Sequence, residues 1–167
     1  MVDTFAHGAI SYLAFGQKKD AFLAILFGML PDLMSWTVYL IYNLFRGGFG
    51  RPVIEEIPQW VFVLYGISHS IFVFFAVIGI VYLIYKKIPI YLWAWGLHIL
   101  VDVPTHTREF LPTPFLWPFF DWYFPGISWG RLVPIYWTII LIWFGLVIYK
   151  NWKNKSKMDS KKKSKKK

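Results

Sequence analysis

The sequence predicts an all-α, polytopic integral membrane protein. Hydrophobic residues make up 57% of the 167 residues and charged residues only 16%, which is more apolar surface than a soluble domain of this size can bury. The mean hydropathy is +0.47. The apolar residues also fall into runs that can cross a bilayer, separated by charged or Gly/Pro-rich segments. We therefore expect residues 1–150 to form a single transmembrane domain.

The apolar runs predict a bundle of four transmembrane helices and one shorter helix. Residues 4–16 fall short of the roughly 20 residues that a span needs, so they predict a short N-terminal membrane-embedded helix. The four predicted spans are residues 21–45, 59–85, 89–103 and 132–150. Pro31 interrupts the first span and frees a backbone carbonyl one turn earlier, whereas Pro89 suits the first turn of the third span.

The two longest connecting segments carry little net charge. Residues 46–58 are rich in Gly and Pro, and their two Arg and two Glu cancel. Residues 108–131 contain four prolines that break any long helix, together with many aromatic residues that suit a membrane interface. We expect this aromatic segment to act as an interfacial lid that admits amphiphiles from the outer leaflet.

The net charge of +9 lies in the C-terminal tail. From residue 150 onward the chain holds ten lysines and one aspartate, so the residues before it carry equal numbers of acids and bases. The charge therefore gives no indication of nucleic-acid binding. Residues 151–167 predict a disordered polybasic tail that can bind anionic lipid headgroups. The positive-inside rule places this tail and the lysines at 18–19 and 86–87 in the cytoplasm.

Ionisable side chains lie inside the predicted membrane segments. Burying such side chains in a membrane is costly, so they usually belong to a functional site. His98 and Asp102 are four residues apart and share one helix face. At about 1.5 Å of rise per residue, this pair lies roughly 15–21 Å above the cytoplasmic side. The same estimate holds for His7 and Asp32, and His69 lies roughly 15 Å below the outer side. Five side chains from four segments are thus expected in one layer near the midplane.

The residue types in this layer are those that bind a divalent metal. Neutral imidazole and carboxylate both suit Zn²⁺, with Mn²⁺ as the alternative, and a shared cation offsets the cost of burying them. The chain has no cysteine, which excludes thiolate ligands and disulfides. The predicted metal ligands are His7, Asp32, His69, His98 and Asp102. A metal-activated water would be the nucleophile, with Asp32 or Asp102 as the catalytic base.

Further residues are predicted to contact the ligands, and structural roles for the same side chains stay open. The candidates for these supporting contacts are Asp3, Ser68, Thr105 and His106. Asp102 can instead pair with Arg108 at a helix end, and Asp32 can cap the helix that restarts after the proline. A lone histidine can also be satisfied by a neighbouring carbonyl.

Five short motifs stand in order along residues 3–120. They are D-x-x-x-H at 3–7, L-P-D at 30–32, S-H-S at 68–70, H-x-x-x-D-x-x-T at 98–105, and P-F at 118–119. In this order they resemble the membrane-bound metal-dependent hydrolase family of bacteria and archaea, described as inner-membrane hydrolases. That family is distantly similar to zinc-dependent phospholipases C and nucleases, so the resemblance implies hydrolysis of a phosphoester. The chain differs at Met34, where members often have a second acid, and at Leu64 and Tyr65, where they often have His-Arg. A one-metal or an inactive member therefore stays open.

The motifs and the polar layer together predict a membrane-embedded, metal-dependent hydrolase. The resemblance implies a phosphoester of a lipid or lipid-linked substrate, and the predicted topology opens the site toward the outer half of the bilayer. No H-E-x-x-H, P-loop or G-x-S-x-G motif occurs, which disfavours zinc proteases, nucleotide hydrolases and serine hydrolases. Two alternatives from other classes are an intramembrane metal or proton transporter and a non-enzymatic, lipid-binding or scaffold protein with a structural metal.

Overall fold

The structure, a computed structural model, describes residues 2–16, 20–48, 53–109 and 111–164, with side chains for all of these except 2–3, 129, 136 and 157–164. The described residues are mostly helical and contain no strand, so the predicted all-α class is confirmed. The chain forms two compact units, of which the first ends at Leu132 and the second starts at Val133.

Six α-helices lie wholly within the described part of the first unit. They are α1 (Val2–Phe15), α2 (Ala21–Asp32), α3 (Val38–Phe45), α4 (Gln59–His69), α5 (Ile71–Tyr85) and α6 (Trp93–Thr105). A π-helical turn at Leu33–Thr37 joins α2 to α3. Single 3₁₀ turns lie at Ile54–Glu56 and Ile90–Leu92. The last helix, α7, covers Trp129–Ser164.

Two of the described helices are long and apolar enough to cross a membrane, or three if the bent pair α4–α5 counts as one span. Ala21–Phe45 is 25 residues long and contains an 18-residue stretch with a mean hydropathy of 1.6, and Gly130–Ser156 is 27 residues long and contains one with 2.1. The prediction of four spans is wrong for residues 89–103. A 3₁₀ turn takes the first part of that run, and α6 has only 13 residues. At 1.5 Å per residue, α6 is about 20 Å long, against a hydrocarbon thickness of about 30 Å.

The span predicted over 59–85 is broken at Ser70, where α4 and α5 meet at 55°. Ser70 has an extended backbone, and its hydroxyl oxygen accepts from the amides of Phe72 and Val73 at the start of α5. This cap satisfies amide groups that a helix start leaves without a partner. His69 is consequently the last residue of α4 and lies at a helix end.

The segment that follows α6 stabilises the non-helical backbone at Ser70 through hydrogen bonds. The amide of Ile71 donates to the carbonyl of Phe115 at 3.0 Å, and the Ser70 hydroxyl donates to the carbonyl of Trp117 at 2.5 Å. Non-helical backbone at membrane depth is tolerated only where protein groups surround and satisfy it. The aromatic segment therefore has a structural role beside the predicted one as a lid.

Pro31 lies within α2 and is followed by the π-helical turn. Its missing amide hydrogen loosens the helix, and the Ser35 hydroxyl donates to the Pro31 carbonyl at 3.0 Å. Single π-helical turns inside α-helices are frequent at functional sites. Asp32 makes no side-chain cap bond here, so helix capping does not account for this buried carboxylate.

Apolar side chains of α5, α6 and the turn before α6 pack into a hydrophobic core. Its buried members are Phe74, Ile78, Leu92, Trp95 and Ile99. The Trp95 indole donates to the carbonyl of Ser68 at 2.7 Å, which ties α6 to α4. The core thus holds in place the helix that carries His98 and Asp102.

The helices α1 and α2 approach closely at Gly28. A Cβ at this position would overlap the side chain of Ser11 and lie 3.0 Å from the carbonyl oxygen of His7. Only a residue without a side chain lets the two backbones come this near. The close approach brings α1, and with it His7, next to the polar residues of α2 and α6.

Replacing Gly28 by alanine is expected to lower the unfolding temperature of the purified protein in detergent. The added methyl has to push α1 away from α2, and overpacking of this kind costs about 1–3 kcal/mol. Gly79→Ala in α5 is the matched control, because no described atom outside its own helix backbone lies within 4 Å of a Cβ there. Alanine also favours a helix by up to ~1 kcal/mol over glycine. Equal unfolding temperatures for the two variants would contradict the close packing.

The described part of α7 is a continuous helix of 36 residues, Trp129–Ser164. It includes residues 151–164, which the sequence predicts as part of a disordered tail. Lysine is a good helix former, and an established helix grows by one hydrogen bond per added residue, which explains the extension. Residues 165–167 lie outside the described residues. The predicted domain division at residue 150 stays a prediction.

Candidate metal centre

Four helices bring the five predicted metal ligands into one buried cluster. His7 comes from α1, Asp32 from the end of α2, His69 from the end of α4, and His98 and Asp102 from one face of α6. Asp32 is 9% exposed, and the other four are 2% exposed or less. The five side chains that the sequence predicts as ligands are thus buried close together.

Backbone carbonyls hold the two central imidazoles. His98 Nδ1 donates to the Gly28 carbonyl at 2.6 Å, and His69 Nδ1 donates to the Tyr65 carbonyl at 3.1 Å. A carbonyl oxygen only accepts, so the hydrogen of each ring lies on Nδ1. Each Nε2 of a neutral ring is then left with its lone pair, the arrangement in which histidine binds a metal.

The two Nε2 atoms of His69 and His98 lie only 3.1 Å apart. Two lone pairs that face each other at this distance repel, and a proton or a metal ion between the rings would remove that repulsion. Asp102 Oδ2 completes a triangle, at 3.3 Å from His69 Nε2 and 3.7 Å from His98 Nε2. Tetrahedral zinc bonds of about 2.0–2.1 Å place neighbouring ligand atoms about 3.3 Å apart. These three residues could therefore hold a metal ion.

Asp32 and His7 lie at the edge of this triangle. Asp32 Oδ1 is 3.7 Å from His69 Nε2 and 3.9 Å from His98 Nε2. The His7 ring stacks on His98 at a centroid distance of 3.8 Å, and its Nε2 lies 2.9 Å from Asp102 Oδ1. His7, Asp32 and His98 form a second group that could hold a metal ion. Since His98 offers only Nε2, the two groups are alternative ligand sets for one ion.

Thr4 is a partner of the cluster that the sequence did not reveal. Its hydroxyl donates to Asp32 Oδ2 at 2.6 Å, which turns the other carboxylate oxygen toward the histidines. Thr4 lies three residues before His7, a spacing that places both side chains on one face of α1. This spacing is the feature of the sequence from which a role for Thr4 beside His7 could have been predicted. The contact itself joins residues 28 apart in the chain.

Two of the predicted supporting residues lie against the ligands. Ser68 Oγ is 2.9 Å from His69 Nδ1 and donates to the Tyr65 carbonyl at 3.3 Å, so it bonds to the same carbonyl as the imidazole. His106 follows the end of α6, and its Nδ1 lies 3.6 Å from Asp102 Oδ1. Both contacts help to fix the orientation of a ligand side chain.

The predicted contacts of Thr105 and Asp3 with the ligands, and the alternative pairing of Arg108 with Asp102, are not seen among the described contacts. The Thr105 hydroxyl donates to the backbone carbonyls of Val101 and Asp102, inside its own helix, and makes no described contact with a ligand side chain. The side chain of Asp3 lies outside the described residues. Arg108 donates through Nε to the carbonyl of Tyr123 at 2.8 Å, so the alternative pairing with Asp102 is not formed among the described contacts.

The cluster has the composition expected of a site for a borderline or hard divalent metal. Its donors are imidazole nitrogens and carboxylate oxygens, a set that suits Zn²⁺ and Mn²⁺. Binding a cation would also compensate the two carboxylates buried at Asp32 and Asp102. The prediction that His and Asp residues form a cluster that could hold a metal ion is thus confirmed. The identity of the metal stays a prediction.

Comparison with known proteins finds no matching protein family, no matching characterised protein and no matching solved structure. The resemblance to membrane-bound metal-dependent hydrolases therefore rests on the short motifs alone and stays a prediction. The chemistry of the cluster has to be argued from its own geometry.

Proposed function

We propose that this protein is a membrane-embedded, metal-dependent hydrolase that acts on a phosphoester of a lipid or lipid-linked substrate. The observation that carries the proposal is the triangle of His69 Nε2, His98 Nε2 and Asp102 Oδ2. Its spacing of 3.1–3.7 Å suits zinc. Catalytic zinc sites use three protein ligands of this kind, whereas structural sites use four. Zinc is the proposed metal, and manganese is the alternative.

The residues around the triangle have distinct proposed roles. When bound, the ion would supply the Lewis acidity that makes a water molecule nucleophilic. Asp32 Oδ1 lies within 3.9 Å of both ligand nitrogens, so it is placed to take a proton from that water. Thr4 keeps the other oxygen of Asp32 occupied. His7 contacts Asp102 Oδ1 and so keeps Asp102 Oδ2 directed into the triangle.

The proposed substrate is lipidic because of where the site lies. Two or three of the described helices are candidate membrane spans. Large aromatic side chains of the segment after α6 are 42–67% exposed, as expected at a membrane interface; they are Phe119, Phe120, Trp122 and Phe124. In the proposed orientation, the C-terminus is cytoplasmic, and the cluster opens toward the outer half of the bilayer. The lysine-rich tail would bind anionic headgroups.

A structural metal site is the second candidate, and the burial of the ligands favours it. The side chains of His69 and His98 are 0% exposed. An ion without access to a substrate would hold α2, α4 and α6 together, and its binding free energy would add to the stability of the fold. In that case chelation unfolds the protein, and no phospholipid is ever hydrolysed.

Metal content and turnover measured on the same purified sample test the proposal. We expect inductively coupled plasma mass spectrometry to find about one zinc ion per chain. We also expect release of phosphorus-containing headgroups from phospholipids in mixed micelles, lost on chelation and restored by zinc. Stoichiometric metal whose removal unfolds the protein, without turnover of any phospholipid class, would establish the structural candidate instead. A protein that is metal-free and cannot be loaded would contradict both candidates.

A further inference from the structure

A cleft of about 450 Å³ lies next to the metal centre. Its walls come from the beginning of α4 and from the segment after α6. Tyr65 lines it, and the Tyr65 ring also packs on the imidazole of His69 at a centroid distance of 4.2 Å. Tyr65 thus contacts both the cleft and a predicted ligand of the triangle. The volume lies within the usual range of about 300–1,000 Å³ for small-molecule sites.

The cleft carries charged side chains of both signs, and the described contacts show no ion pair between them. Arg108, Glu109 and Asp121 line it. Arg108 is positioned through Nε, which donates to the Tyr123 carbonyl at 2.8 Å. Among the described contacts, its two terminal nitrogens have no partner, and neither carboxylate pairs with it. A ligand with a negative group and a positive group would complement both kinds of charge.

The polar and aromatic lining indicates which groups these are. Arginine presents a planar fork of donors that matches the oxygens of a phosphate. Aromatic faces attract an ammonium group, and a nearby carboxylate adds to that attraction. Tyr65, Trp117 and Tyr123 supply such rings, and Asp121 lies two residues before Tyr123. Phosphate and ammonium are the two charged groups of a zwitterionic phospholipid headgroup.

The aromatic residues beside the cleft suit a position at the level of lipid headgroups. Alternate residues of segment 121–124 take opposite roles. Asp121 and Tyr123 line the cleft, whereas Trp122 and Phe124 pack on each other and remain 49% and 42% exposed. Exposed aromatic residues of this kind concentrate at membrane–water interfaces. The same short segment thus lines a charged cleft and presents an interfacial surface.

We propose that this cleft binds a phospholipid headgroup that joins a phosphate to an ammonium, with the phosphate at Arg108 and the ammonium at Asp121 and the aromatic rings. The inference rests on the proposed function in taking this lipid as the substrate of the adjacent metal centre. Binding at the cleft does not itself need hydrolysis, so the two proposals can fail separately.

Native mass spectrometry of the purified wild-type protein tests the inference. The protein is mixed with equal amounts of phosphatidylethanolamine, phosphatidylglycerol and phosphatidic acid that carry identical short acyl chains, and each bound lipid is identified by its mass. We expect the ethanolamine lipid to be bound at least about tenfold more than either anionic lipid, since a charge-assisted contact is worth about one decade of affinity or more. Equal occupancy of the three lipids would overturn the proposal.

Two variants assign the headgroup to the cleft. Arg108→Gln should reduce binding of all three lipids about tenfold, whereas Asp121→Asn should reduce only the ethanolamine lipid and bring it level with phosphatidylglycerol. Both side chains are exposed, so the fold should be retained. The matched controls are Arg131→Gln and Glu55→Gln, exposed residues outside the cleft lining. Variants that bind like these controls would overturn the assignment.

Binding and turnover distinguish this inference from the proposed function. Selective binding without hydrolysis would leave the headgroup cleft in place and overturn the hydrolase. Hydrolysis of all three lipids with equal occupancy would leave the hydrolase in place and overturn the cleft.

Discussion

Replacing Asp102 by asparagine is expected to lower the affinity for zinc about 100- to 4000-fold and to abolish phosphoester turnover at limiting zinc. The carboxylate contributes Oδ2 to the triangle and is 2% exposed. Removing one charged partner from a buried, paired site costs about 3–5 kcal/mol, and each 1.4 kcal/mol is tenfold in affinity. Asparagine has nearly the same shape, so the loss reports the charge and the ligand atom rather than a cavity.

Competition with a chromophoric chelator measures this zinc affinity directly. Glu55→Gln is the control, because it removes an exposed carboxylate away from the cluster. Size-exclusion chromatography of both variants shows whether the fold survives. A well-folded Asp102→Asn protein that binds zinc as tightly as the wild type would mean that the triangle is not the metal site.

The members of the cluster could be predicted from the sequence because their signals are local. His98 and Asp102 are four residues apart on one helix, and the L-P-D and S-H-S motifs mark Asp32 and His69 inside apolar runs. Depth in the membrane follows from counting residues along each helix. These quantities need no knowledge of the neighbouring chain segments, and the structure brings all of these side chains into contact.

The partners that orient the ligands could not be predicted, since they come from distant parts of the chain. The Gly28 carbonyl meets His98 across 70 residues, and Thr4 meets Asp32 across 28. The break after His69 was also hidden. Ser70 is no strong helix breaker, and the bonds to Phe115 and Trp117 that stabilise its extended backbone form only in the folded protein.

The length of α6 is a second feature that could not be predicted from the sequence. Hydropathy alone gives residues 89–103 the appearance of a span, because the run is apolar. The structure uses the first part of it for a 3₁₀ turn, and the remaining helix is packed against α5 as part of the core. A short apolar run serves equally well as a buried core helix, and only packing decides between the two.

Replacing Asp32 by asparagine is expected to lower turnover about 10²- to 10⁴-fold, the usual contribution of a general base. Zinc binding should be retained, which separates this variant from Asp102→Asn. The reason is geometric: Asp32 Oδ1 stands 3.7 and 3.9 Å from the two ligand nitrogens, outside the tighter triangle that Asp102 completes. Asparagine can still accept the Thr4 hydroxyl hydrogen, so the side chain should stay in place.

Turnover and zinc content of Asp32→Asn, measured together, decide between the two ligand sets that share His98. Loss of turnover with full zinc content places the ion on His69, His98 and Asp102 and leaves Asp32 as the base. Loss of zinc together with turnover would place the ion on His7, Asp32 and His98 instead. Asp102, which contacts four histidines within 3.7 Å, would then be the group left to take the proton. Unchanged turnover and unchanged zinc would contradict a catalytic role for Asp32 in either arrangement.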